Sequence, residues 1–210
     1  MNDVERTLYV AGTGSFALEV AEFARDGAFA VAGLIELLDP SRVGGTRHGL
    51  PVVAADAPPA EGALAVIGAG GDRLAHWARL APHGWSAATV VHPRAHVSPS
   101  ARLAEGCVVG PLAVIGAETE LEAHVLLGRG ALVGHHAALG AGSVVNPGAN
   151  LAGHTRLGVG VLVGMGAVVA DHVTVGDGAT VAAGAVALRD VEAGARVQGV
   201  PARPYAEAAS

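Results

Sequence analysis

From Val91 to Val181 an aliphatic residue recurs at every sixth position without a break: Val91, Val97, Leu103, Val109, Ile115, Leu121, Leu127, Val133, Leu139, Val145, Leu151, Leu157, Val163, Val169, Val175 and Val181. The position two before each is nearly always small, as at Ala95, Cys107, Ala113, Ala131, Ser143 and Ala167. The position after it is often glycine, as at Gly110, Gly116, Gly128, Gly134, Gly140 and Gly158. A helix repeats near 3.6 residues and a half-buried strand alternates every two, so neither fits. An uninterrupted period of six predicts a parallel β-solenoid, each hexad supplying one side of a coil. The large and the small position are expected to point inward together, with the glycine at the tight corner.

The first 90 residues follow a different pattern. Thr7–Ala11 reads as a strand, Leu18–Arg25 as a helix, Phe29–Ile35 as a second strand, Ala63–Ile67 as a third and Leu74–Leu80 as a second helix. Gly49–Val53, in the loop-rich stretch between Pro40 and Pro59, reads as an edge strand. Two glycine-rich turns follow strands. Gly12-Thr13-Gly14-Ser15-Phe16-Ala17 has the G-x-G-x-x-A form, and Gly68-Ala69-Gly70-Gly71-Asp72-Arg73 opens the second helix. Glycines let backbone N–H groups approach a phosphate, a helix N-terminus favours its charge, and an acid closing the second strand, here Glu36, can hold ribose hydroxyls. The segment has room for about half of a dinucleotide fold, which favours one nucleotide over NAD; tight turns without a ligand are the alternative.

Composition narrows the function classes. A net charge of −6 over 210 residues gives no basic footprint for nucleic acid. One cysteine, Cys107, excludes an internal disulfide framework, and its small inward slot makes it a core residue. No run approaches the ~20 apolar residues of a membrane helix, and the opening MNDVER does not resemble a signal peptide, so a cytoplasmic chain without a membrane partner is expected.

The hexads resemble those of the hexapeptide-repeat acyltransferases, whose left-handed parallel β-helix has three sides and eighteen residues per coil. The chain as a whole is similar to the members that carry a small N-terminal nucleotide-binding domain: bacterial nucleotide-sugar N-acetyltransferases acting on 4-amino-4,6-dideoxysugars, and the sialic acid O-acetyltransferase group. VAGTGSFALEVAEFA, GLIE, VIGAGGDR, VVHPRAHVSPSARL, VGHHAALGAGSVVNPGANLAGHTRLG and GVPARP carry the likeness from Tyr9 to Pro204. It implies a Rossmann-like α/β domain over residues 1–90, a β-helix over 91–192 and a tail over 193–210. It also implies acetyl-CoA as acyl donor, a nucleotide-linked amino sugar as acceptor, no metal, and a homotrimer with active sites between subunits.

An eighteen-residue coil stacks Glu118, His136, His154 and His172 in one column on a polar side and sets Gly153 beside His135. The column alone reads as a solvated ladder, an acyl-transfer site or a metal site. The other sides present Leu112, Val114, Leu126, Leu132, Val144, Val159, Leu162, Met165 and Val168 outward, which suggests burial in a closed oligomer. By the resemblance, His135 is the general base and the Gly153 N–H the oxyanion donor. Gly12, Gly14, Ser15, Glu36, Gly68 and Arg73 hold the nucleotide-sugar, and Asn146, His154, Gly164 and Arg203 hold acetyl-CoA. Two positions depart from the family: His136 stands where an acid usually follows the base, and Gly128 where an asparagine usually lies near the acceptor. Glu118 is expected to restore part of the missing charge at His136. The alternatives are O-acetylation of a sugar, a non-catalytic nucleotide-sugar-binding homologue, a γ-carbonic-anhydrase-like zinc enzyme, which lacks its His-x4-His pair here, and an NAD-linked enzyme.

Overall fold

The computed structural model describes residues 6–27 and 29–205. The opening segment read above for a leader, and residues 206–210 of the tail, lie outside the described residues. β1 (Arg6–Ala11), α1 (Ser15–Asp26), β2 (Phe29–Glu36), β3 (Thr46–Arg47), β4 (Leu50–Ala54), β5 (Leu64–Ile67), α2 (Arg73–Ala78) and β6 (Ser86–Ala87) form the first unit. Its sheet order is β3-β4-β2-β1-β5-β6, parallel except for β3. The expected edge strand is therefore interior: β4 lies between β2 and the two-residue β3, which takes the edge. β1 and β5 carry buried aliphatics at Leu8, Val10, Val66 and Ile67, as parallel strands covered by helices require.

From Val90 to Ala187 the chain is a three-sided parallel solenoid built from two-residue strands, closed by Arg196–Gln198 and an antiparallel Arg203–Pro204. Strand partners lie eighteen residues apart, as in Val108↔Leu126↔Val144↔Leu162. The sixth-position aliphatics fill the interior with the small residues between them; Val109, Ile115, Leu127, Val145 and Val163 are fully buried. Buried hydroxyls remain paired inside this core: Thr119 Oγ1 donates to the Gly134 carbonyl and Ser143 Oγ to that of Gly158, each at 2.8 Å. Cys107 is a core residue, and burial pushes its thiol up to about 11.

The corners are built differently from the expectation. From Leu103 onward left-handed backbone falls three residues after each aliphatic, at Gly130, Gly148, Gly166, Gly142 and Gly160 among others, and not at the glycine directly after it. That earlier glycine is required by proximity: a Cβ on Gly134 would lie 2.6 Å from the Gly153 nitrogen of the next coil, and one on Gly128 would lie 2.7 Å from Pro147. The Gly128 departure thus has a cause in this chain, because Pro147 occupies the space a side chain would need.

α1 covers one solenoid face. Val90, Val108, Leu126 and Val144 pack into one core with Val20 and Phe23, so Leu126 and Val144 are buried by the chain's own helix and not by an oligomer. α2 docks on a corner of the solenoid, with Leu74 over Gly142 and the Trp77 ring 4.7 Å from that of His124. Arg73, expected at the ligand, is instead the strut of this junction. It is 1% exposed; its Nε donates to the His124 carbonyl at 2.6 Å, and its Nη1 to the carbonyls of Ile67 and Ala69 at 3.1 and 2.7 Å. Burial pulls its guanidinium down to about 10.

His124 is 3% exposed, its Nδ1 has no hydrogen-bond partner, and burial followed by the charge of Arg73 holds its imidazole down at about 4. An unfolded imidazole protonates near 6.5, so between these values the unfolded chain binds the extra proton and stability falls as pH falls. The loss over that window is about 3 kcal/mol. His124 has φ 60, which asparagine tolerates. Thermal melts from pH 7 to 4 are expected to show a steeper drop in Tm for the wild type than for His124→Asn.

Candidate active site

The third solenoid corner differs from the other two. Its left-handed positions are Glu118, His136, His154 and His172, with φ of 56, 56, 56 and 60, and none is glycine. Each such non-glycine residue costs roughly 1–2 kcal/mol of backbone strain, which the coil ladder must hold. The ladder is explicit: the His136 N–H donates to the Ala117 carbonyl at 2.8 Å, that of His154 to His135 at 2.9 Å, and that of His172 to Gly153 at 3.1 Å. The column read from the sequence therefore exists, but on the turn between two sheets and not on a flat side.

His136 and His154 stack at 5.0 Å between ring centroids, and His154 and His172 at 4.4 Å and 4°. His135 stands across this stack, perpendicular to both His136 and His154, and its Nδ1 lies 3.0 Å from His136 Nδ1. The opposite edge of the His135 ring faces the next coil: a Cβ on Gly153 would lie 2.9 Å from both Nε2 and Cε1. The Gly153 N–H donates to no backbone carbonyl among the described residues. Partial desolvation, then the neighbouring imidazoles His172, His136 and His135, lower the His154 pKa, while Asp171 raises it in part.

The arrangement has the parts of a general base: one ring nitrogen held by a neighbour, the other beside an unpaired N–H. Glu118 shares the column, but among the described residues no hydrogen bond or ion pair joins it to His136. The carboxylate in contact with an imidazole of this corner is that of Asp171, 3.4 Å from His172 Nε2. Asn146 and Gly164 lie at a different corner, with the Asn146 amide donating to the Val163 carbonyl at 3.0 Å, and Arg203 lies on the last strand. One chain does not bring these three to the histidines.

A second candidate region is a cavity of about 330 Å³ where the two glycine turns meet, lined among others by Gly12, Thr13, Gly14, Ser15, Glu36, Arg42, Gly68 and His76. Gly12 has φ 127, open only to glycine, whereas Gly68 is needed for packing, since its Cβ would meet Val10 at 2.4 Å. Gly14 caps α1 with no side-chain hydrogen bond, and the first turn of α1 holds no acid, which leaves the helix N-terminus open to an anion.

Glu36 faces inward. Its Oε1 accepts from the amides of Leu37, Leu38 and Asp39 at 2.8–3.0 Å, and its Oε2 from the Thr13 hydroxyl at 2.6 Å. Burial alone would raise its pKa; Thr13, the Leu38 and Asp39 amides and Arg42 together hold it below the usual carboxylate range. Glu36 therefore shapes the cavity wall and spends its acceptors there. Arg42, which donates to the Thr13 hydroxyl at 3.1 Å, supplies positive charge to the cavity. Neither Thr13 nor Arg42 stood out in the sequence; only the glycine turn around Thr13 signalled its position.

No protein-family model matches the chain, and no curated protein does. Solved structures do. The acetyltransferase domain of PglB from Neisseria gonorrhoeae, in complex with acetyl coenzyme A, is 34% identical over 96% of this chain and 100% of that one, with a TM-score of 0.86. PerB from Caulobacter crescentus, in complex with CoA and GDP-perosamine, is 31% identical over 95% and 97% of the two chains, with a TM-score of 0.88. WeeI from Acinetobacter baumannii, 22% identical over 95% and 99% with a TM-score of 0.68, shares the fold.

The contact between His135 and His136 couples the tautomers of the two rings, since one Nδ1 must donate and the other accept. Long-range proton–nitrogen NMR of the imidazoles is expected to show a changed His135 tautomer population in His136→Ala and an unchanged one in Glu118→Gln.

Proposed function

This chain belongs to the hexapeptide-repeat sugar acetyltransferases, and from that premise we propose that it transfers the acetyl group of acetyl-CoA to the amine of a nucleotide-linked 4-amino-4,6-dideoxysugar. The observation that carries the reading is His135, with Nδ1 against His136 and Nε2 against Gly153. In the proposed reaction the sugar amine attacks the thioester carbonyl carbon while His135 Nε2 takes its proton. The Gly153 N–H donates to the oxyanion that forms. Collapse breaks the carbon–sulfur bond, CoA leaves as the thiol with the proton returned from His135, and the amide remains on the sugar. PerB's complex with CoA and GDP-perosamine and the PglB domain's complex with acetyl coenzyme A support both ligand classes.

The nucleotide is assigned to the cavity at the glycine turns, with a phosphate at the N-terminus of α1 beside Arg42 and the loop behind it shaped by Glu36. In this reading residues 1–90 are a Rossmann-like domain, 91–192 a left-handed β-helix and 193–210 a tail. The parallel sheet with its β1–glycine turn–α1 connection and the three-sided eighteen-residue coil support it. Leu112, Val114, Leu132, Leu162 and Met165 keep 37–60% of their surface exposed, around one solenoid corner. That apolar strip supports a homotrimer, in which Asn146 and Gly164 of one subunit would face the histidine corner of another across bound acetyl-CoA. Among the described residues no helix is long and apolar enough to cross a membrane, in keeping with a cytoplasmic enzyme.

CoA release should be followed with GDP-, UDP- and dTDP-linked 4-amino sugars. Turnover with one of them is expected, reduced by roughly 10²–10⁴ in His135→Ala. Gly153→Ala, whose Cβ pushes the His135 ring, is expected to lower kcat more than it changes KM. Full activity in His135→Ala would move the base to His136, and turnover only with sugars bearing a free hydroxyl would make the enzyme an O-acetyltransferase.

A further inference from the structure

We propose that His135, His136 and His154 form a binding site for a divalent transition metal, best matched to zinc, and that its occupation silences the base. The silencing rests on the reading of His135 as that base; the site does not.

Each of the three imidazoles offers one ring nitrogen, and these atoms all lie within 4.8 Å of one another. The three ring centroids form a nearly equilateral triangle with sides of 5.2, 5.1 and 5.0 Å. A tetrahedral zinc with Zn–N near 2.0–2.1 Å holds its nitrogens about 3.3 Å apart. The Nδ1 atoms of His135 and His136 are already at 3.0 Å, and the separations to His154, at most 4.8 Å, ask for closure of about 1.5 Å by side-chain rotation. The frame is fixed beforehand: two ligands are adjacent in the chain, and the third is tied one coil away by its N–H to the His135 carbonyl at 2.9 Å.

The donor set selects the ion. Imidazole nitrogens suit zinc, nickel and copper and do not suit magnesium or calcium, which take oxygen. His135 and His136 are exposed and His154 half-buried, so an ion reaches them from solvent. Asp171, 3.4 Å from His172 Nε2, adds negative charge on the adjoining coil. Three protein ligands leave one position to water. A metal on His135 Nε2 takes the basic lone pair directly, and a metal on Nδ1 forces the ring's remaining proton onto Nε2. In either case the base is lost.

The test is a titration of chelator-stripped full-length protein with zinc chloride, and with cobalt chloride for its visible spectrum. The expected result is one zinc per chain, tetrahedral-strength cobalt bands, and at least a tenfold weaker affinity in both His136→Asn and His154→Asn. Asparagine tolerates the left-handed backbone at both positions, and circular dichroism checks that the variants fold. Substoichiometric zinc, or an affinity unchanged in both variants, overturns the site. In the wild type, zinc is expected to stop CoA release over the concentration range in which it binds, with EDTA restoring it; full turnover with zinc bound overturns the silencing. A protein that releases no CoA with any acceptor has failed the acetyltransferase reading, while the zinc titration still decides the site.

Discussion

The eighteen-residue register of the solenoid is the constraint on which the rest depends. Each two-residue strand gains its hydrogen bonds only from the coils before and after it, so the coils keep one length of eighteen residues until the last, which closes in sixteen at Val181↔Val197. Closure brings the backbone after each aliphatic within van der Waals contact of the next coil, as at Gly134 over Gly153 and Gly128 over Pro147. It also forces a left-handed residue at each corner. Two corners mostly meet that demand with glycine. The third meets it with one glutamate and three histidines and bears the strain of doing so. A residue in this conformation projects its side chain outward in a direction the ladder fixes, so the same constraint that makes the corner costly makes its imidazoles converge.

The junction between the two units extends that rigidity to the N-terminal cavity. Arg73 is a fully buried cation whose partners are carbonyls only, and its Nη2 is left without a partner, as is Nδ1 of His124 beside it. Such a junction is poor in polar satisfaction and is carried by packing: α1 over Val108, Leu126 and Val144, and Leu74 over Gly142. The exposed pair Arg129–Glu19 and the His92–Asp26 contact add little at the surface, but they tie α1 to the solenoid at two further points. The glycine-turn cavity and the histidine corner are therefore tied to each other by packing.

Much of this was legible in the sequence because a strict repeat converts position into space. Six residues mean one side, and with the three-sided coil that the family resemblance implies, eighteen mean one coil, which stacks His136, His154 and His172. What spacing does not carry is the backbone conformation within the hexad. The glycine after each aliphatic looked like the turn, whereas the left-handed turn sits two residues later and tolerates histidine. Nor does it carry burial by the rest of the chain, which is why Leu126 and Val144 read as oligomer surface. Outside the repeat, residue type suggested partners that geometry reassigns. Arg73, placed at the nucleotide-sugar by the resemblance, is a strut, and Glu36 looked like a ribose ligand and organises its own loop through three amides and Thr13. Arg42 carried no local signal, because nothing in its sequence neighbourhood says that the chain folds back on Thr13.

His136 is where the chain departs most from an acid-supported base, and the Nδ1-to-Nδ1 contact with His135 sets what remains. A single proton lies between these two nitrogens. When it belongs to His135, the His135 Nε2 keeps its lone pair beside Gly153 and the residue is competent as a base. When it belongs to His136, His135 must carry its own proton on Nε2 and is not. A carboxylate in that place accepts only, so it would enforce the competent tautomer and also favour the imidazolium formed during reaction. A neutral imidazole orients the ring but brings no charge, and a protonated one reverses the hydrogen bond. Asp171 lies two coils beyond His135, in contact with His172, and acts on this corner through charge and not through a hydrogen bond to His135. In the proposed reaction His135 is thus governed by which of the two nitrogens holds the shared proton, an arrangement that a single acidic residue would have removed.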